Sequence, residues 1–86
     1  MNTCIVATFD CTFEKLEARI KGDMEGEAGK FVSEYELVKV NDNKIIWLGN
    51  VADFEAMGTF MDSSENKQWD EENGVTLTAY TMKKMS

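Results

Sequence analysis

FVSEYELVKVNDNKIIWLG, residues 31–49, decides the fold. Residues 31–40 are a β-rich run. Phe31, Ser33, Tyr35, Leu37 and Lys39 share one face, and Val32, Glu34, Glu36, Val38 and Val40 share the other. Asn41-Asp42-Asn43 comes next, with side chains that tolerate left-handed turn geometry. Lys44–Gly49 is then strand again at once, with Ile45 and Trp47 on one side and Ile46 and Leu48 on the other. Two such runs joined by turn residues predict a β-hairpin.

Reading outward, the segment before the hairpin supplies a strand and a helix. TCIVATF, residues 3–9, has no strongly polar face, so it is expected as a central strand covered on both sides. Asp10 or Thr12 can cap the helix behind that strand. Phe13, Leu16 and Ile20 form its apolar stripe at helical spacing. Gly22 is expected to end this helix. GDMEGEAG, residues 22–29, is expected as a loose acidic connection.

The segment after the hairpin supplies another helix and strand. Asn50 with Asp53 resembles a reciprocal cap. Phe54, Met57 and Met61 give an apolar stripe, although Gly58 weakens the helix at its centre. Asp62 with Glu65 resembles a second cap that restarts the helix as far as about Asn73. The second helix is therefore expected to be split. Gly74 can terminate it. VTLTAYTM, residues 75–82, completes the chain as a last strand.

The order is strand, helix, strand, strand, helix, strand, within a single domain of residues 1–86. Two short βαβ-like halves joined by a hairpin predict a ferredoxin-like α+β sandwich. Right-handed crossovers put both helices on one face of a four-stranded antiparallel sheet. Strands one, three and four carry apolar groups on both faces, and two helices cannot cover all of them. The uncovered face is expected to meet a second copy of the chain. A domain of this size gains core by pairing.

With that length, element order, aromatic third strand at Lys44–Gly49 and split second helix with its acidic, tryptophan-bearing segment Glu65–Gly74, the chain resembles the dimeric α+β barrel group. That group includes the antibiotic-biosynthesis monooxygenase-like and stress-responsive barrel proteins. The resemblance covers most of residues 3–83. It implies a homodimer whose sheets close into a barrel, and a cleft between each sheet and its helices. Members of the group include cofactor-free oxygenases, isomerases or cyclases, haem binders and proteins with no assigned activity. This chain has no histidine, so histidine-based cyclisation and histidine-ligated haem are not implied.

Composition narrows the function classes further. Sixteen acidic and nine basic residues give a net charge of −7, which repels phosphate backbones and anionic lipid. Nucleic acid and membranes are not expected partners. The N-terminal stretch has no basic region followed by an apolar run, so a signal peptide is not expected. Cys4 and Cys11 are expected at opposite ends of the first strand, too far apart to bridge. Free thiols suit a reducing compartment, and the cytoplasm is the expected location.

Few residues advertise chemistry. Without histidine the usual base near neutral pH and the commonest neutral metal ligand are missing. There is no Cys-x-x-Cys and no glycine-rich phosphate loop after the first strand. The acids Asp23, Glu25 and Glu27 alternate, but they lack the length of a calcium loop. No metal or cofactor is expected. The expected site is a cleft between the sheet and the 54–73 segment. Trp69 would close it, Phe54, Met57 and Met61 would form soft apolar walls, and Asn66 would offer a polar contact. Asp10 is the one carboxylate expected near its rim, against the plainer role of capping the helix behind it. Three classes stay open: a barrel that binds a small apolar or aromatic molecule, a cofactor-free monooxygenase-like enzyme, and a regulatory or structural module with no ligand.

Overall fold

The computed structural model describes residues 1–85. Strand β1 (Thr3–Thr8) leads into helix α1 (Phe13–Glu25) and a short 3-10 turn (Glu27–Lys30). The hairpin is β2 (Val32–Asn41) and β3 (Lys44–Val51), followed by α2 (Phe54–Met61), α3 (Ser64–Glu72) and β4 (Thr76–Thr81). The sheet order is β2-β3-β1-β4, and every neighbouring pair is antiparallel. This is the ferredoxin-like α+β arrangement, with the second helix split as expected.

The hairpin turn closes through its own side chains. Asn43 N–H donates to Asn41 Oδ1 at 2.8 Å. On the helix-covered face Leu37, Trp47, Ile5 and Ala79 lie in one row across the four strands. On the open face Val38, Ile46, Val6 and Thr78 form one row, and Glu36, Leu48, Cys4 and Tyr80 the next. The core lies between the first face and the helices. It includes Ile5, Ala7, Leu16, Ile45, Trp47 and Met57.

Several boundaries move, each for a tertiary reason. Helix α1 runs through Gly22 to Glu25. The stripe Leu16–Ile20 continues at Met24, which packs against the core. That burial outweighs a cost of about 1 kcal/mol for a mid-helix glycine. The segment expected as loose is therefore the end of α1 and the 3-10 turn, anchored by the fully buried Ala28. Thr12, and not Asp10, caps α1, its hydroxyl accepting from Lys15 N–H at 3.2 Å.

Strand β3 extends to Val51, because Asn50 pairs across the ladder with Glu34. Asn50 is thus a strand residue. Asp53 caps α2, accepting from Ala56 N–H at 3.0 Å. Asp62 closes α2, and Ser63 caps α3 in its place, accepting from Asn66 N–H at 3.3 Å. A register irregularity between Val32 and Glu34 turns Val32 inward, on the same side as Tyr35. Gly74 ends the helical segment as expected, with φ +63°, a left-handed conformation that glycine takes without strain.

Strand β4 is exposed along its whole length, on both faces. The helices cover β1, β3 and the start of β2 and leave this edge strand bare. Among the described residues no helix is long and apolar enough to cross a membrane.

Candidate functional site

A cavity of about 110 Å³ lies between the sheet and the three helices. Its floor is Ile5, Ala7, Ile45 and Trp47, with Leu77 at the β4 side. Helix α1 contributes Leu16, Ile20 and Met24, spaced so that one face of the helix looks inward. Helix α2 contributes Met57, Phe60 and Met61. Asn66, Trp69 and Asp70 come from α3. Apart from a few rim groups the lining is apolar.

Of the residues expected from sequence, Met57, Met61, Asn66 and Trp69 do line this space. Phe54 does not: it opens α2 on the outside and is 52% exposed. Asp10 also lies outside. Its backbone N–H donates to the Asn73 carbonyl at 3.0 Å, and its carboxylate rests against Gly74, where a Cβ would overlap it. Asp10 therefore braces the turn between α3 and β4.

The rim is built around Arg19. Its Nη2 donates to Asn66 Oδ1 at 2.7 Å, and Asn66 Nδ2 donates to the Phe60 carbonyl at 2.7 Å. Asn66 thus joins α1 to the break between α2 and α3, and its amide is already engaged at both ends. The Arg19 guanidinium also sits 5.2 Å from the centre of the Trp69 ring, and Lys15 Nζ lies 6.0 Å from it. Trp69 is half-buried, closing one side of the cavity under two cations of α1. A more open groove lies outside, and Arg19, Asp23, Phe60 and Asn66 line both spaces. The Arg19–Asn66 contact is therefore part of the partition between them.

Two carboxylates that the sequence did not place at this site stand on its rim. Asp23 approaches Arg19 Nε at 3.7 Å. Burial pushes its pKa up; Arg19 opposes this, and Glu65 and Asp70 add to it. Burial also raises Asp70, again against Arg19. The readable signal was the Arg19–Asp23 spacing of four, which carries meaning only if the helix passes Gly22. Among the described residues no three His, Cys, Asp or Glu side chains gather in a group that could hold a metal.

Trp47 of the floor is tightly packed on its other sides. Trp47 stacks on Tyr35 with ring centres 6.2 Å apart, and its benzo ring lies over Gly49. Its indole Nε1 is buried and has no hydrogen-bond partner.

No protein-family model matches the chain, and neither does any curated protein. A solved structure from Deinococcus radiodurans does, described as a "putative antibiotic biosynthesis monooxygenase". The TM-score is 0.58 at 16% sequence identity, over 98% of this chain and 95% of that one. The likeness is one of fold. This chain shares the ferredoxin-like α+β fold of that structure.

Proposed function

We propose that this protein binds a small, largely apolar, planar molecule in the cavity beside Trp69, and that it does so as a homodimer. The observation that carries the first part is the cavity itself: apolar walls, adaptable methionines and a few polar groups confined to one rim. Pockets of that make-up suit small organic ligands. Replacing Trp69 with alanine tests it. Thermal melts with a panel of aromatic compounds should show ligand-induced stabilisation in the wild type, and its loss in the variant. A wild type that responds to no compound would leave a structural or regulatory module.

The second part is supported by the open sheet face. Val38, Ile46, Val6, Leu48 and Tyr80 lie together there in adjacent cross-strand rows, and Val38 and Tyr80 are 44% and 55% exposed. Exposed contiguous apolar surface of this kind suits a partner. The bare edge strand β4 points the same way. Two sheets packed face to face would close the barrel expected from sequence. Sedimentation at micromolar concentrations should find a dimer, and a monomer there would refute the pairing.

Cofactor-free monooxygenase-like chemistry is the second reading, favoured by the fold neighbour and by Asp23 and Asp70. A carboxylate whose pKa is raised by burial is better matched to accepting a proton near neutral pH than an ordinary one. Oxygen consumption with activated phenols, abolished by Asp23→Asn but not by Asp10→Asn, would support this reading. The two free thiols and the charge of −7 favour a cytoplasmic protein that does not bind nucleic acid.

A further inference from the structure

We propose that the ligand of the cavity is an arylalkylammonium, with a single aromatic ring inside and a cationic amine held at the rim by Asp23 and Asp70. This rests on the reading of the cavity as a binding site.

The rim has acceptors to spare. Of its four polar side chains, Asn66 has both ends of its amide engaged, and Arg19 is directed to Asn66 and to the Trp69 ring. Asp23 and Asp70 differ. Among the described residues no donor stands within hydrogen-bond distance of either carboxylate, and Arg19 Nε lies 3.7 Å from Asp23, beyond that distance. Both aspartates are half-buried, and their oxygens keep contact with open space. An ionised carboxylate only accepts, so the group that completes this rim must donate.

Charge decides the kind of donor. Asp23 feels the charges of both Asp70 and Glu65, and Arg19 is the one cation that answers them. It does not suffice: burial leaves both aspartates raised above the ordinary carboxyl value. Lys15 lies over the Trp69 ring instead. A second cation at the rim stabilises both carboxylates, and ammonium–carboxylate hydrogen bonds are about twice as strong as neutral ones. An anion would meet the same acids and lose its hydration against apolar walls.

The adjoining groove carries the same sign. It shares Arg19, Asp23, Phe60 and Asn66 with the cavity. Glu27, Asp53, Glu55 and Glu65 also line it. Glu27 is paired with Lys30 at 3.1 Å, and Asp53 caps α2. Asp23, Glu55 and Glu65 are left against Arg19. A cleft lined by one sign of charge concentrates ligands of the other.

Size fixes the rest. The cavity holds about 110 Å³. A dry protein cavity of roughly 150 Å³ holds benzene. One ring is therefore the most this space takes, with Met24, Met57 and Met61 adjusting around it. The amine must then lie at the rim, because an ammonium finds no partner among the apolar walls.

Four probes share one ring and the same short link: phenethylamine, phenethyl alcohol, propylbenzene and phenylpropanoate. Phenethylamine is an alkyl amine and is charged at about pH 7. Calorimetric titration of the wild type at that pH should rank the amine first, about tenfold above propylbenzene, with the alcohol between them and phenylpropanoate last. In the double variant Asp23→Asn, Asp70→Asn the preference for the amine over propylbenzene should disappear. If propylbenzene binds and the amine binds no better, the class is refuted while the cavity stands as a binding site. If the alcohol matches the amine, or phenylpropanoate ranks first, the cationic assignment is refuted. A preference that survives in the double variant refutes the roles of Asp23 and Asp70. If no probe binds, the cavity reading and this one fail together. The ranking uses the wild-type protein, so it decides the ligand class even if the double variant folds poorly.

Discussion

The carboxamide of Asn2 pairs with both backbone groups of Val51. Its Nδ2 donates to the Val51 carbonyl at 2.9 Å, and Val51 N–H donates to its Oδ1 at 2.9 Å. A side chain here takes the place of a strand residue, extending the β1–β3 ladder by one step. Val51 is buried, so its peptide groups have no ready access to water. Asn2→Ala leaves them unpaired and should destabilise the protein by about 1–3 kcal/mol. Urea unfolding of the two proteins measures this, and a loss within error of zero would show the pairing to be dispensable.

Gly49 gives Trp47 its place. An added Cβ would overlap the distal atoms of the indole's benzo ring, deep in the sheet. The ring cannot yield easily, because Tyr35 stacks on it. Gly49→Ala should therefore behave as an overpacked core, costing about 1–3 kcal/mol. Near-ultraviolet circular dichroism should change with it, since the Tyr35–Trp47 stack is disturbed. An unchanged spectrum and stability would mean the indole has room to move.

Asp53 takes the capping role expected of Asn50, which lies in β3 instead. Asp53→Ala removes the cap of α2 and should cost about 1 kcal/mol. Asn50→Ala leaves the cap intact and removes only an exposed contact with Glu34. Its effect should be smaller, within about 0.5 kcal/mol. Denaturant titration of both variants ranks them. The reverse order would restore Asn50 as the helix cap.

Asp23 makes stability depend on pH with a definite sign. Its pKa in the folded chain lies above the ordinary value of 3.8, from burial first, with Glu65 and Asp70 adding and Arg19 opposing. Between the unfolded and folded values the folded state binds more protons, so stability falls as pH rises through that window. The penalty persists in full above it. Asp23→Asn should raise the melting temperature at pH 7, and the gain should shrink as the pH approaches about 4, where the unfolded carboxyl also protonates. A variant that melts lower than wild type at pH 7 would show that the pairing with Arg19 dominates instead.

The pattern of the chain carried the architecture. The alternation at residues 31–49, the Asn-Asp-Asn turn, the stripe of Phe13, Leu16 and Ile20, and Gly74 are local signals, and local signals suffice for element type and order. The sheet order is then set by handedness and short connections. Part of the site was legible for the same reason. Met57, Met61, Asn66 and Trp69 sit on helical faces whose periodicity points inward.

Local pattern thus settles which segments are helix or strand and which of their faces are apolar. Packing sets where those elements stop and which polar groups meet. Helix α1 passes Gly22 because Met24 finds a core to enter, and β3 passes Gly49 because Asn50 and Val51 find partners in Glu34 and Asn2. Phe54 and Asp10 fell outside the cavity, while Arg19, Asp23 and Asp70 came to it. Burial and hydrogen bonding between distant segments are worth as much as the local preferences they override. No single-segment pattern records which distant group will arrive.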